Sequence, residues 1–416
     1  MNSQAHSEEA EKTALDKHGL ASVTLSVNWS DQRALHEEQL YVERFSVWRE
    51  ADTLPPEIGL NIPGMHAGEE WRARLQPGEL LDCWSPSRVI STDPARFDRN
   101  RHPGLVVEPR VGRFYPQGFF QGVQGIFKDA VAPARITRLT QDRLELDTNA
   151  PLARFPLQLR LRLEQVLPGY DRRGGRCTSP LDKLLGYPGL AAPLADGTAT
   201  DYGDETGGMS RLDERADELF YARPRLVQHL DRRALETVNT LYRRLLPAQA
   251  EVLDLMAGFD SHLQGAELAK LHLLGMNGEE LAANAVATNR VVQDLNRSAS
   301  LPWADHSLDA VVCTASIEYL LRPLHVLTEI SRTLRPGGLI IITFSNRWFP
   351  TKAVRVWSEL HEFERVGMVT QWLQQAGFGE LHTFSSRGRP RPADDPHADK
   401  TAYSDPVYAV WGSNAP

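Results

Sequence analysis

The sequence predicts two folded domains in series. The first is antiparallel and β-rich; the second is an α/β domain whose mostly parallel sheet carries helices on both faces and ends on an antiparallel last strand. Three observations predict this. From residue 251 onward, short apolar runs alternate with stretches of helical period, the pattern of a wrapped parallel sheet. Residues 251–262, E-V-L-D-L-M-A-G-F-D-S-H, form an apolar run that closes on Asp254 and passes through a small-residue turn at Ala257 and Gly258. In an open parallel sheet, a ligand sits beyond such a turn, at the carboxyl ends of the strands. Residues 21–168 instead alternate apolar and polar side chains with period two, between frequent turn residues.

Bulk composition narrows the function. A chain of 416 residues exceeds one ordinary domain, and 41% hydrophobic with 24% charged residues suits globular domains with real cores. The formal net charge of -8 argues against coating nucleic acid, which needs a surplus of Lys and Arg. The arginines around Arg160 to Arg162 and Arg387 to Arg391 read as a solvated strand face and a loop. Cys83, Cys177 and Cys313 are far apart and odd in number, so neither a disulfide framework nor zinc spacing is expected. The polar, acidic opening lacks the order of a secretion signal, and no run of about 18 apolar residues could span a bilayer. The expectation is a cytoplasmic protein with no membrane or nucleic-acid partner and no metal.

Residues 1–20, charged and without apolar period, are expected to be a disordered tail. Strands are expected at 23–27, 71–75 and 143–147, and most clearly at 157–163, where every second residue is Leu and arginines mark the outer face. Two fragments here carry a resemblance. I-P-G-M-H-A-G-E at 62–69 resembles the P-G-M-x-x-G-E segment of FKBP-type prolyl isomerases. L-D-T-N-A-P-L-A at 146–153 resembles the D-x-N-H-P-L-A-G stretch before the last strand of that family's bacterial, flap-bearing branch. The resemblance implies an FKBP-like domain over residues 21–168, with Phe114, Tyr115, Pro116 and the run 117–127 in an inserted flap. It also implies binding of a proline-containing segment in an apolar pocket, where loss of water from the amide speeds slow X-Pro rotation. Ala150, Arg154 and Leu159 stand where the family has His, Gly and a pocket Phe. Polypeptide binding is therefore expected ahead of efficient isomerisation.

Residues 169–213 are rich in glycine, proline and charge and read as a linker with one helical turn near 181–185. The second domain is expected over 214–416. It opens with helical spacing broken before Pro224, and a helix is expected from there through Val227, Leu230, Leu235, Val238 and Leu241. After the first strand, further strands are expected at 271–276, 291–294, 308–313 and 339–344, with helices at 279–286 and 323–334 between them. Pro336, Gly337 and Gly338 punctuate before the fifth strand. One long helix is expected within 352–376, and 381–384 can pair antiparallel with 407–411.

This order resembles the class I S-adenosylmethionine-dependent methyltransferases, of the type 11-like branch. L-P-W-A-D-H-S-L-D-A-V at 301–311 matches that family's L-P-F-x-D-x-S-F-D-x-V, and L-R-P-G-G at 334–338 matches its L-K-P-G-G. The resemblance implies a Rossmann-like fold and S-adenosyl-L-methionine as cofactor. It assigns the cofactor to Asp254, Met256, Ala257 and Gly258 at the first turn, Met276 and Asn277 after the second strand, and Asp294 and Leu295 after the third. Asn277 stands where the family's ribose-binding acid stands, Asp294 where an acid meets the adenine amine. Met256 and Asp260 replace glycines of the usual D-x-G-x-G-x-G. Glu318 and Tyr319, at the substrate-facing lip, and Asn346 and Arg347, after the fifth strand, are expected to meet the acceptor. Tyr221 and Arg223 are candidates for a lid, and His262 is either structural or catalytic.

The expected function is methyl transfer to a polypeptide or small-molecule acceptor, beside an FKBP-like domain for polypeptide binding. The alternative is a prolyl isomerase or chaperone whose second domain is a non-catalytic binding module.

Overall fold

The computed structural model describes residues 14–50, 54, 59, 61–101, 106–170, 179–203 and 206–415. Residues 1–13 of the expected tail lie outside the described residues, whereas its remainder is not a tail: Leu15 is buried and the first strand begins at Gly19. The described residues form two compact units, one built mainly on Leu35–Thr198 and the other on Ala199–Ser385 with Arg391–Pro416. No helix of the described residues is long and apolar enough to cross a membrane.

Unit 1 contains β1 (Gly19–Ser30), β2 (Ala34–Ser46), β3 (Glu70–Leu75), β4 (Val89–Thr92), β5 (Phe114–Pro116), β6 (Pro133–Leu139), β7 (Leu144–Asp147) and β8 (Leu157–Tyr170), with short helices α1 (Val47–Glu50) and α2 (Pro180–Leu185). Strands β2, β1, β8 and β3 lie side by side in that order, and the pairs β1 with β2, β1 with β8 and β3 with β8 are antiparallel. The chain between β3 and β8 builds a separate 4-stranded sheet, β4-β7-β6-β5, again antiparallel. Period two explains β8: Leu157, Leu159, Leu161 and Leu163 are buried while Arg162 is exposed. The inserted sheet has its own aromatic core of Phe97, Tyr115, Phe119 and Phe120 over Ile136, Leu144 and Leu146. Residues 179–198 lie within the stretch expected to be linker, whose residues 171–178 and 204–205 are outside the described residues. Of these, α2 contributes Leu181, Leu184 and Leu185 to the core beneath β1 and β8. Its start is fixed by a capping box between Ser179 and Asp182.

Unit 2 contains β9 (Ala250–Leu255), β10 (Leu268–Gly275), β11 (Asn289–Val292), β12 (Leu308–Thr314), β13 (Leu334–Phe344), β14 (Phe378–Arg387) and β15 (Val407–Asn414). Its helices are α3 (Asp217–Tyr221), α4 (Arg232–Leu245), α5 (Gly278–Ala283), α6 (Pro323–Thr333), α7 (Arg355–Glu359) and α8 (Glu362–Gln375). The strands run β11-β10-β9-β12-β13-β15-β14. The first five are parallel and β15 is antiparallel to β13. Counted within the unit this is order 3-2-1-4-5-7-6, so the direction of winding reverses at β9, where a ligand crevice is expected.

The strands read as near-continuous apolar runs because both faces are covered. Ala234, Val238 and Leu241 of α4 pack with Val252, Leu271, Ala310, Ile341 and Ala409. The alternate residues Leu253, Val311, Ile340 and Ile342 are buried as well.

Three sequence expectations need correction. The helix expected from Pro224 does not form there; residues 222–230 are irregular, and α4 starts after its cap Asp231, whose carboxylate accepts from the N–H groups of Arg233 and Ala234. The expected long helix is two: His361 leaves helical geometry (φ -62, ψ 152) and forms a capping box with Glu364 that begins α8 afresh. Pro336, Gly337 and Gly338 do not precede β13 but lie inside it, at an irregularity where Gly337 takes φ +75 and the pairing with β12 shifts register.

Candidate functional site

A cleft opens in unit 2 at the carboxyl ends of β9, β10, β11 and β12. Asp254, Met256, Ala257, Gly258, Met276, Asn277, Asp294 and Leu295, the residues expected to hold a cofactor, all line it. Of the expected acceptor residues, Tyr319 and Arg347 line the cleft, whereas Glu318 and Asn346 do not.

The turn after β9 is built by close backbone approach. The N–H of Ala257 donates to the carbonyl of Leu274 at 2.8 Å. A Cβ on Gly275 would lie 2.2 Å from the Ala257 carbonyl oxygen, so only glycine fits at the end of β10. Met256 keeps the left-handed backbone that a glycine would normally supply (φ 58), and Ala315 beyond β12 does the same (φ 47). His262 shares that conformation (φ 56). These three line the cleft, whereas Gln249, His306 and Glu380, which share the conformation, do not.

Asp254 is buried within β9, and that burial raises its carboxyl pKa to about 7 despite the opposing hydrogen bond with Ser261 and the charge of His262. Its partner Ser261 also accepts from the amide of Asn284 at 2.8 Å. Asp254 therefore holds the turn. Asp260, expected only as a glycine replacement, is drawn well below the ordinary carboxylate range, first by its hydrogen bond to His262. It also accepts from Gln228 at 2.7 Å and Gln264 at 2.8 Å, so His262 has a structural partner.

Asn277 lines the cleft with its amide already committed to the protein. Its oxygen caps α5 by accepting from the N–H groups of Glu279 (2.9 Å) and Glu280 (3.1 Å). Its Nδ2 donates to the carbonyls of Tyr221 (2.8 Å) and Ala222 (3.3 Å). Glu280, in the first turn of α5, also lines the cleft. One oxygen accepts from the backbone N–H of Arg225 at 2.6 Å, and the other lies 3.5 Å from where a Cβ on Gly258 would be. Asp294 lies two residues beyond β11 and accepts from the N–H of Asn296 at 2.8 Å through one oxygen. The side chain of Asn296 donates to Asp217 at 2.9 Å and to the Tyr319 carbonyl at 2.9 Å, joining two edges of the cleft.

Asp217, buried at the start of α3, is held by both Arg211 (2.8 Å) and the fully buried Lys352 (3.0 Å). Burial alone would raise its pKa, but hydrogen bonds from Asn296, Arg211 and Lys352 outweigh that and hold it below the ordinary range. Residues 210–221 are thus riveted beside the cleft, and the irregular segment that follows forms one of its walls.

That wall is aromatic and cationic. Phe349 stands 5.4 Å from Phe220, 5.9 Å from Tyr319 and 5.2 Å from His229, ring centre to ring centre. Its backbone N–H donates to the Tyr319 hydroxyl at 2.9 Å. The Arg225 guanidinium lies over Phe220 (4.5 Å) and Phe349 (5.3 Å). His229 is pushed below its ordinary pKa, first by loss of water around its ring and then by the charges of Arg225 and Arg347. Arg347 meets Asp405 at 3.5 Å.

Sequence reasoning missed Arg225, His229 and Glu280. The first two fall where a helix was expected, and the third was covered by a family position one turn earlier. Glu318 is sealed beneath the lip; burial raises its carboxyl to about 7, and one oxygen has no hydrogen-bond partner. Asn346 is exposed. Arg223, a candidate lid residue, does not line the cleft, while Tyr221 does.

An open α/β sheet with a reversal at β9 and a cleft over it is a Rossmann-like arrangement. The family model described as a methyltransferase domain matches residues 257–342, from the turn after β9 to within β13. No curated protein matches the chain. Among solved structures, the chain is similar to an S-adenosylmethionine-dependent methyltransferase of Thermotoga maritima (15% identity, 44% of this chain and 87% of that one, TM-score 0.32). It is similar also to one of Archaeoglobus fulgidus (17%, 43% and 94%, 0.32). A third is a chain from the Haloferax volcanii complex between the Trm112 methyltransferase activator and a methyltransferase (18%, 44% and 93%, 0.32). At that level of superposition these likenesses carry no argument, and the family match spans residues 257–342 alone.

Proposed function

We propose that unit 2 transfers a methyl group from S-adenosylmethionine to an acceptor bound in the same cleft. The observation that carries this reading is the convergence of every expected cofactor residue on one cleft, at the winding reversal of a 3-2-1-4-5-7-6 sheet. When bound, S-adenosylmethionine supplies an electrophilic methyl on a sulfonium. The chain's part is then to bind, orient and exclude water, because in-line displacement depends chiefly on positioning.

In this reading Ala257 and Gly258 leave the first turn's backbone open to the cofactor, and Asp294 with Leu295 receives the adenine. Glu280 takes the ribose hydroxyls in place of Asn277, whose amide is committed to the cap of α5 and to the carbonyls of residues 221 and 222. Tyr221, Tyr319 and Phe349 wall the acceptor side. His229, neutral at pH 7 by the direction of its shift, can take a proton from an N–H or O–H acceptor. The test is calorimetric titration of the full chain with S-adenosylmethionine. Micromolar binding that Asp294→Ala and Glu280→Gln each weaken about tenfold or more supports the reading; a folded chain that does not bind refutes it.

For unit 1 we infer an FKBP-like polypeptide-binding role. The insertion of a separate sheet between β3 and β8, where a flap was expected, supports it. Leu159 lies in the core of β8 and Arg154 stacks over Trp84 at 3.5 Å, which weighs against an efficient isomerase pocket. Faster refolding of a proline-limited substrate by the full chain would reverse that weighing.

A further inference from the structure

The cleft is electrically divided. Asp254, Asp260, Glu280 and Asp294 stand on the side of β9, β10 and β11, and the one carboxylate of α3 that lines the cleft, Asp217, is neutralised by Arg211 and Lys352. Arg225 and Arg347, with the neutral His229, stand on the side of Phe349. The division bears on what the acceptor can be. Among the described residues no carboxylate forms an ion pair with the Arg225 guanidinium, whose Nη2 donates to the Phe220 carbonyl at 3.0 Å while its face covers aromatic rings. Its backbone N–H, not its side chain, occupies Glu280. Arg347 approaches Asp405 only at 3.5 Å, and Asp405 is shared with Arg391 at 2.5 Å. Its Nη2 also meets His397 Nε2 at 3.4 Å, a contact that supplies no negative charge.

The Arg225 guanidinium, partly shielded from water by aromatic faces and without an ion-paired carboxylate, attracts an anion, and Arg347, 39% exposed and paired with Asp405, adds a weaker attraction. Guanidinium is also the side chain best matched to a planar carboxylate or to phosphate. Around these cations, Tyr221, Trp348 and Phe349 line the wall with rings. Leu219, Leu226 and Val227, in the segment that borders the wall, are 70%, 56% and 59% exposed, so apolar surface continues outward from it.

Resting on the methyl-transfer reading above, we propose that the acceptor is an anionic compound with a flat apolar body: Arg225 and Arg347 hold its carboxylate or phosphate, and Phe349 with its neighbouring rings holds the body.

The probes are benzoate, benzamide and benzylammonium, which share one ring and differ in charge. Each is titrated into the full chain in the presence of saturating S-adenosylhomocysteine. Benzoate is expected to bind at least tenfold more tightly than benzamide, with benzylammonium weaker still. Arg225→Gln is expected to weaken benzoate about tenfold while S-adenosylhomocysteine binds as before, and Arg347→Gln to weaken it less. Equal binding of the three probes, no benzoate binding at millimolar concentration, or benzoate binding untouched by both variants would overturn the proposal. Failure of S-adenosylhomocysteine to bind would instead strike the methyl-transfer reading. The charge preference is then read on the chain without it, and the same outcomes decide the anion site.

Discussion

The side-chain amide of Asn277 donates to the backbone carbonyl of Tyr221 at 2.8 Å while its oxygen caps α5. One residue at the end of β10 thus ties the wall of the cleft to its floor. An acid at this position would keep the cap but turn a negative oxygen toward the carbonyls of Tyr221 and Ala222. Asn277→Asp is therefore expected to destabilise the protein by about 2 kcal/mol and to weaken S-adenosylhomocysteine binding. Chemical denaturation and calorimetry check both. Tighter binding by the aspartate variant would return the ribose to this residue and take it from Glu280.

Met256 holds a left-handed backbone at the first turn. Replacing it with glycine removes a backbone cost of roughly 1 kcal/mol but adds unfolded-state freedom of similar size, so Met256→Gly should melt close to the parent protein. Met256→Val, branched at Cβ, should cost roughly 1–3 kcal/mol. Equal melting of the valine variant would show that the turn relaxes.

Asp217 neutralises Arg211 and Lys352 in a buried cluster. Asp217→Asn leaves both cations under-compensated and should cost roughly 3–5 kcal/mol. Because its folded pKa is depressed, Asp217 stabilises the fold above the ordinary carboxylate range, and that contribution is lost as pH falls through the folded value. The gap in melting temperature between parent and variant should accordingly narrow in strong acid. A constant gap would assign the cost to shape alone.

Glu318 titrates the other way. Its folded pKa of about 7 is raised from 4.5, so the folded state binds its proton more tightly, and stability falls as pH rises from about 4.5 to 7. Glu318→Gln removes that slope. The variant should match the parent near pH 5 and exceed it at pH 8 by up to about 3 kcal/mol. Urea midpoints at the two pH values check this; a variant weaker than the parent at pH 8 would mean that an ionised Glu318 is paired.

Much of unit 2 was legible because its strands are buried on both faces and read as apolar runs between helix-period stretches, as at Val252 to Leu255 and Leu339 to Phe344. The turn at Ala257 and Gly258 was legible because small residues follow an apolar run that closes on an acid, while the close approach itself falls on Gly275. The wall was not. Val227 and Leu230 fall at helical spacing, yet Val227 is exposed and the helix waits for Asp231, a capping signal present in the sequence. The break in the last long helix was signalled by His361 and Glu364, a capping pair with histidine in the usual place of serine or threonine. Arg225 and His229 lie on an irregular segment, where no period relates a residue to its neighbours in space. Glu318 was misjudged because an acid beside a lip reads the same whether it faces the cleft or the core. In unit 1 the strands were visible from period two, while α2 was hidden in a stretch whose glycines and prolines suggested a linker.

The central claim is that the cleft over β9 binds the methyl donor. Hydrogen exchange of the full chain with and without S-adenosylhomocysteine tests it most directly. The predicted result is slowed exchange concentrated at residues 254–262, 275–281, 293–297 and 314–321. Unchanged exchange at all four segments under saturating ligand, or slowing confined to unit 1, would contradict it.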